Sequence, residues 1–203
     1  MKKWAVVTLL PAILLSGCAL GPRGLPPKGG IQNFDRVNRH VYRGAQPDGA
    51  GIRYLKKRGI RTVINLRTDK EEWRDEQRKV EAAGMKYMHK PMNGLLRPEN
   101  GKMRETLSIL EGRESHYPLP AFIHCQYGCE RTGTVIACYR IEHNNAGADE
   151  SLREADKHGM SKLAILQRQY VRDFEKARHA PRAKSAAAAQ DLRTGSRTAL
   201  RRM

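Results

Sequence analysis

A cysteine and an arginine six positions apart are the residues of this chain best suited to chemistry. Residues 124–133, HCQYGCERTG, contain both and fit the pattern H-C-x-x-G-x-x-R-T-G. A short loop of this kind can wrap around an oxyanion with its backbone N–H groups pointing inward, and a following helix adds the positive end of its dipole. The segment therefore predicts an anion-binding turn between a strand and a helix.

Cys125 and Arg131 suit the two demands of phosphoryl transfer. An electropositive, partly enclosed site favours the thiolate form of cysteine, so we expect Cys125 to attack phosphorus without a separate base. The planar fork of Arg131 can bind two equatorial phosphoryl oxygens and stabilise the negative charge of the transition state. A lysine could not reproduce that geometry.

The other residues of the segment are expected to support this pair. Gly128 gives the loop a backbone conformation that a side chain would obstruct, and Gly133 lets the next helix start close to the sheet. Thr132 can donate its hydroxyl to the sulfur when it leaves, and His124 can orient the loop through hydrogen bonds. The residues expected to line the bound phosphate are Gln126, Tyr127, Gly128, Cys129, Glu130 and Arg131.

At these positions the chain resembles the protein tyrosine and dual-specificity phosphatase superfamily, whose signature is H-C-x5-R-[ST]. Residues 41–47 (VYRGAQP) and 62–67 (TVINLR) are similar to the atypical dual-specificity phosphatases of plants, fungi and bacteria. The resemblance covers about residues 31–178. It implies a four- or five-stranded sheet with surrounding helices, and hydrolysis of phosphate monoesters through a phosphocysteine intermediate without a cofactor. Phosphotyrosine, other phosphoproteins and inositol phosphates are the substrate classes it implies.

The general acid is where the chain departs from the superfamily, which uses an Asp on a mobile loop. The corresponding residues 91–99, PMNGLLRPE, contain no Asp, and the amide of Asn93 cannot supply a proton. Glu99 is an alternative acid, although a carboxylate also suits the first turn of the next helix. We favour Glu130 as the acid, the other interpretation being a solvated loop carboxylate paired with a basic neighbour.

Other candidate residues have weaker support. Arg67 follows an apolar strand at the end where a ligand should bind, so it contacts either the substrate phosphate or a surface carboxylate. Cys129 and Cys138 are more typical of packing than of redox chemistry, although an oxidising setting would allow them to pair with Cys125. The histidines show no metal-ligand spacing, and no metal site is expected.

Apolar patterning alternates between strands and helices along the middle of the chain. It predicts strands at residues 41–43, 61–66, 85–89 and 119–124, and helices at 49–57, at 70–83, through 103–110, and from about 132. This order is typical of a single α/β domain with a mainly parallel sheet covered on both faces, whose ligands bind at the carboxyl ends of the strands. The junction after residue 124 lies at such an end.

The first residues predict export and lipid attachment. A positive start and a short apolar run end in Leu-Ser-Gly ahead of Cys18, which resembles the bacterial lipobox; a plain secretory signal with a chance cysteine is the alternative. Ala19 is not the Asp that would favour inner-membrane retention, so we expect an outer-membrane lipoprotein facing the periplasm. The expected divisions are a signal peptide (1–17), a lipidated tether (18–30), a phosphatase domain (31–178) and a basic disordered tail (179–203).

The net charge of the chain indicates which classes of partner it can bind. Lys and Arg total 38 against 21 Asp and Glu, a net charge of +17, which favours phosphorylated substrates and anionic membranes. No motif typical of nucleic-acid binding accompanies this charge, so nucleic acid is not expected. A non-catalytic phospholigand-binding module, and sulfur transfer or arsenate reduction, are the alternative functions. The phosphatase signature, with both cysteine and arginine retained, argues against them.

Overall fold

The structure is a computed structural model that describes residues 24–180. The predicted signal peptide, Cys18 and residues 181–203 lie outside the described part of the chain. Strands and helices alternate in the order β1 (Asp35–Arg36), β2 (Val41–Ala45), α1 (Gly49–Lys57), β3 (Thr62–Asn65), α2 (Arg74–Ala82), β4 (Lys86–His89), α3 (Asn100–Leu110), β5 (Ala121–Cys125), α4 (Glu130–Asn144), α5 (Ala148–Lys157) and α6 (Ile165–His179).

One five-stranded sheet, in the order β1-β2-β5-β3-β4, forms the centre of the fold. Strands β2 to β5 run parallel, and the two-residue β1 pairs antiparallel with β2, so the sheet is mixed. The predicted α/β domain with a mainly parallel sheet is confirmed. Cys125 is opposite Ala45, and its neighbour His124 is opposite Asn65. The carboxyl ends of three strands therefore meet around Cys125.

Strand β5 is buried at all five positions, as expected for a central strand covered by helices on both faces. Its side chains alternate between two apolar clusters: Ile123 and Cys125 belong to the cluster beneath α3 to α6, and Phe122 to the cluster beneath α1 and α2. His124 follows the same alternation and stacks on Phe122. The period of the strand thus directs His124 and Cys125 to opposite faces of the sheet.

The fold differs from the sequence expectations at the start of α2 and at β1. The helix predicted over 70–83 begins only at Arg74. Residues before it form a turn in which the carboxylate of Glu71 accepts hydrogen bonds from the amide and hydroxyl of Thr68 (2.7 and 2.8 Å). A side chain that bonds local backbone in this way competes with helix formation. The second difference is β1, which is too short to leave a period in the sequence.

The ends of the described chain extend the expected domain. Residue 25, in the predicted tether, is bonded to the fold through Asn33, whose amide donates to the Leu25 carbonyl at 3.2 Å. At the other end, α5 and α6 pack on α4, and α6 ends at His179. No helix within residues 24–180 is long and apolar enough to cross a membrane.

Candidate active site

The loop between β5 and α4 lies directly against the backbone of β2. Cys125 ends β5, Glu130 begins α4, and Gly128 between them has a φ of +69°, in the left-handed region. A Cβ built on Gly128 would lie 2.5 Å from the carbonyl carbon and oxygen of Gly44. Glycine is therefore required at position 128 both for its conformation and for the close approach of the two chains.

A buried layer of donors holds this loop from behind. The carbonyl of Gly128 accepts hydrogen bonds from Nη2 of Arg43 (2.8 Å) and Nδ2 of Asn33 (3.2 Å). Arg43 is fully buried, and its Nε and Nη1 have no hydrogen-bond partner among the described residues. Burial lowers the pKa of Arg43 to about 10, although the charges of Glu154 and Cys125 oppose that shift. Arg43 thus places a positive charge beneath the loop.

A shared carboxylate fixes the guanidinium of Arg131. Oε2 of Glu71 lies 2.8 Å from Nη1 of Arg131, and Oε1 lies 3.0 Å from Nε of Arg67. Burial alone would raise the pKa of Glu71, but the hydrogen bonds from Arg131, Thr68 and Arg67 hold it well below its usual range. Burial by itself would lower the pKa of Arg131, but the hydrogen bond to Glu71 and the charge on Cys125 raise it. Glu71 therefore remains an anion that orients Arg131.

His124 is held by a second buried carboxylate. Its Nε2 lies 2.6 Å from Oε1 of Glu76 in α2, and both side chains are buried. The other oxygen of Glu76 accepts a hydrogen bond from Nε2 of Gln46 at 2.9 Å. Nδ1 of His124 lies 3.3 Å from the carbonyl of Cys125. The end of β5 is thereby tied to α2 and to the segment that follows β2.

The remaining predicted loop residues divide into buried and exposed sets. The hydroxyl of Thr132 is buried without a hydrogen-bond partner in the described structure. The thiol of Cys129 is also buried and donates to the Tyr127 carbonyl at 3.3 Å. The ring of Tyr127 is exposed, and Nε2 of Gln126 donates to its hydroxyl at 3.3 Å. The loop thus exposes Gln126 and Tyr127, buries Cys129 and Thr132, and leaves Glu130 and Arg131 half-buried.

The structure changes the interpretation of Gly133 and agrees with that of Cys138. Gly133 does not serve the approach of α4 to the sheet: a Cβ there would meet Cβ of Ala155 at 3.4 Å and Sδ of Met160 at 3.6 Å, so it serves the packing of α5 and the following turn. Cys138 is fully buried in the core, and burial raises the pKa of its thiol far above the ordinary value. Cys138 therefore has the environment of a packing residue.

Comparison with known proteins identifies the family. The family model described as "DSP-PTPase phosphatase fused to NAD+ Kinase" matches residues 26–173. This chain belongs to that phosphatase family. The match includes the five strands, the loop with Cys125 and Arg131, and the buried residues beneath it.

Relatives of this phosphatase include both protein and inositol phosphatases. The chain is 26% identical over 147 residues to the probable tyrosine-protein phosphatase DG1060 of Dictyostelium discoideum, covering 70% of this chain and 86% of that one. It is 28% identical over 112 residues to inositol diphosphatase DSP1 of Oryza sativa subsp. japonica, covering 53% and 49%. The second match thus spans about half of each protein.

Solved structures show the same fold. The crystal structure of P. aeruginosa TpbA in complex with pTyr superposes with a TM-score of 0.61 at 21% identity, covering 78% of this chain and 97% of that one. The core catalytic domain of the PP-IP phosphatase SIW14 from S. cerevisiae, in complex with citrate, gives 0.61 at 19% identity, covering 83% and 96%.

The two candidate acids, Glu130 and Glu99, and the amide of Asn93 occupy different positions in the phosphatase. Glu130 is the first residue of α4 and is half-buried. Glu99 precedes α3, is mostly exposed and pairs with Lys102 at 2.8 Å. Oδ1 of Asn93 accepts the amides of Leu95 and Leu96 (2.8 and 3.0 Å), so it stabilises its own loop. Of these three residues, only Glu130 belongs to the segment that leads from Cys125 into α4.

Sequence reasoning missed several residues that support the site: Asn33, Arg43, Glu71 and Glu76. For Arg43 a signal was present, because an arginine in the middle of a short strand that is buried throughout demands a partner or a purpose. No comparable signal marked Glu71, which belongs to a charged segment and is recruited only by the turn that precedes α2.

Proposed function

We propose that this phosphatase hydrolyses phosphate monoesters of the dual-specificity type through a phosphocysteine intermediate on Cys125. The observation that supports it best is the arrangement around one loop. The nucleophile ends β5, the guanidinium of Arg131 is held at 2.8 Å by Glu71, and the carbonyl of Gly128 is bonded from behind. Such a preorganised site needs little rearrangement when charge develops on the phosphoryl oxygens.

In the first step the sulfur of Cys125 attacks phosphorus, an S–P bond forms, and the P–O bond to the leaving group breaks. Arg131 and the loop amides stabilise the charge on the equatorial oxygens. In the second step a water oxygen attacks the phosphocysteine, the S–P bond breaks, and inorganic phosphate and the thiolate are released. Thr132, whose buried hydroxyl lacks a hydrogen-bond partner in residues 24–180, would donate to the departing sulfur.

The leaving oxygen needs a proton in the first step, and we propose Glu130 as its source. Glu71 is unsuited, because the hydrogen bonds from two arginines favour its ionised form. Glu99 lies outside the loop and pairs with Lys102. Glu130 would take a proton back from the attacking water in the second step, so that the protonation of the enzyme is restored.

The substrate class we propose is a phosphorylated protein or small molecule. A phosphotyrosine-bearing protein is supported by the names of the tyrosine and dual-specificity relatives, and an inositol phosphate by the inositol diphosphatases.

We further propose that lipid on Cys18 attaches the enzyme to the outer membrane, on the side that faces the periplasm. The Leu-Ser-Gly-Cys sequence supports this attachment.

The direct test is turnover of p-nitrophenyl phosphate without added metal by wild type, Cys125→Ser and Arg131→Lys. We expect turnover by the wild type and inhibition by vanadate. Cys125→Ser should lose it entirely, and Arg131→Lys should lose most of it. Cys138→Ala is the matched control, since it removes a buried thiol in α4 that lies outside the loop. Binding of phosphotyrosine without any turnover would instead favour a non-catalytic module, and activity in Cys125→Ser would exclude the mechanism.

A further inference from the structure

The large apolar side chains that the described chain exposes are gathered on the face that contains the phosphate-binding loop. Leu163 and Leu95 are 85% and 83% exposed, and the others are more than 45% exposed. We call this set the apolar rim. It consists of Leu95, Leu96, Tyr127, Leu163, Ile165 and Leu166.

Measured contacts place the segments of the apolar rim next to one another. Nε2 of Gln167, in the first turn of α6, donates to the carbonyl of Gly94 at 2.5 Å, which joins the start of α6 to the loop of Leu95 and Leu96. A Cβ on Gly94 would lie 3.6 Å from Nε of Arg131, so this loop borders the catalytic guanidinium. The rim therefore lies beside the site rather than elsewhere on the molecule.

The segment between α5 and α6, which contains Leu163, is linked to the phosphate-binding loop through Asn33. The carbonyl of His158, which follows α5 and lies five residues before Leu163, accepts a hydrogen bond from Nδ2 of Asn33 at 2.8 Å. The same nitrogen lies 3.3 Å from the carbonyl of Tyr127. A cluster of exposed apolar residues at a functional face is typical of a docking surface, because isolated exposed residues need no explanation but a cluster does.

The path of the chain indicates which partner covers the rim. Oδ1 of Asn33 accepts the amide of Leu25 at 3.0 Å, so the N-terminal segment enters the fold beside the phosphate-binding loop. Cys18 lies seven positions before Leu25 in the sequence, and a chain of that length can span at most about 25 Å. If Cys18 bears lipid, Leu25 is held within that reach of the bilayer, on the side of the fold where Asn33 contacts the Tyr127 carbonyl.

Charge favours the same partner. The chain has a net charge of +17, and Lys162 and Arg97 stand next to rim residues with their side chains 74% and 47% exposed. Lys162 pairs with Asp156 and Arg97 pairs with Asp173, so the long-range attraction to an anionic surface comes from the net charge of the whole chain. A surface that combines apolar side chains with nearby basic residues suits the interface of an anionic bilayer.

We propose that the apolar rim docks on an anionic membrane surface and presents the phosphate-binding loop to phosphate monoesters at that surface. The proposal rests on the proposed phosphatase function for its substrate and on lipid attachment at Cys18 for its reach. Leucine and isoleucine side chains of the rim enter the interface, while Tyr127 lies at its edge beside the loop. A second copy of the chain or a protein substrate would be alternative occupants of the rim.

Depth-dependent quenching tests the docking itself. Lipidated full-length protein is reconstituted in phosphatidylethanolamine–phosphatidylglycerol vesicles with brominated acyl chains, and tryptophan emission is compared between Leu163→Trp and Ser115→Trp. Ser115 is exposed and precedes β5, at the end of the sheet opposite Cys125, so it is the matched control. We expect the added emission of Leu163→Trp to be quenched at least about twofold more, because bilayer contact requires burial of the rim. Equal quenching of both variants would overturn the proposal.

An activity measurement separates docking from catalysis. The double variant Leu95→Ser, Leu163→Ser should hydrolyse p-nitrophenyl phosphate like the wild type, yet lose about tenfold or more of the turnover of phosphatidic acid in the same vesicles, as its apolar contact with the bilayer is removed. Equal turnover of phosphatidic acid by both proteins would refute docking. If the wild type hydrolyses neither p-nitrophenyl phosphate nor phosphatidic acid, the phosphatase function itself is refuted. A rim-dependent dimer in sedimentation, without vesicle quenching, would assign the rim to a second copy.

Discussion

Replacing Gly128 by alanine perturbs the site at the point where the loop contacts β2. The new Cβ would lie 2.5 Å from the backbone of Gly44 and 2.8 Å from the amide nitrogen of Ala45. These are backbone atoms of a buried strand that is paired on both sides, so they cannot move aside as a flexible side chain could. The loop must therefore shift away from β2.

The size of the effect follows from this geometry. Ordinary contact begins at 3.4 Å, so relief of the closest contact needs a displacement of about 0.9 Å. Misplacement of a catalytic group by about 1 Å can cost about 100-fold in rate, and we expect at least that loss in kcat. The left-handed backbone adds about 1–2 kcal/mol of strain for a residue with a Cβ, and overpacking adds about 1–3 kcal/mol. We expect a loss of unfolding free energy of about 2–5 kcal/mol.

The assay measures p-nitrophenyl phosphate kinetics and urea unfolding of Gly128→Ala beside Gly59→Ala. Gly59 has a φ of +77°, but no atom lies within 4 Å of a Cβ built there. Gly59→Ala therefore measures the effect of backbone strain without a steric clash. We expect it to lose about 1–2 kcal/mol of unfolding free energy and to keep its activity. If Gly128→Ala folds and retains the wild-type kcat, the close fit of the loop on β2 has no catalytic consequence and the reasoning is wrong.

Three further predictions concern proton-binding groups. Glu130→Gln should slow cleavage of alkyl phosphates by about 10²–10⁴ but p-nitrophenyl phosphate little, whereas Glu99→Gln should change neither; equal losses on both substrates would make Glu130 structural. Because folding lowers the pKa of Glu71, its contribution to stability is present above about pH 4.5 and is lost as pH falls below it. Urea unfolding of Glu71→Gln should lack that part of the decline. Burial, aided by the charge of Arg43, lowers the pKa of His158, so wild-type stability should also decrease as pH falls below about 6.5, and less so in His158→Gln.

The sequence predicts the strands and helices between residues 41 and 132, but not the helices that follow α4. Helix α1 has the predicted bounds, Gly49–Lys57, because Asp48 caps its start with a hydrogen bond to the amide of Gly51 at 2.7 Å. The sequence analysis does not predict α5 and α6, although both are amphipathic and pack on α4. Their sequences are rich in charged residues, which makes the apolar period of each helix harder to recognise in the sequence.

The residues of the candidate site likewise divide into those that a local motif predicts and those that it does not. A local motif indicated Cys125, Arg131 and Gly128, because their roles depend on spacing within one loop. Residues that arrive from other strands and turns, such as Asn33 and Glu71, depend on topology. Their positions follow from strand order and from the turn before α2, neither of which a single sequence specifies.

Trapping the covalent intermediate tests the central claim most directly. Thr132→Ala should slow the departure of sulfur, so that the phosphoenzyme accumulates during turnover of p-nitrophenyl phosphate. Rapid acid quenching, proteolysis and mass spectrometry then locate the phosphoryl group. The proposed mechanism predicts one phosphoryl group on Cys125, which is absent in Cys125→Ser. A phosphoryl group on any other residue, or continued turnover by Cys125→Ser, would contradict it.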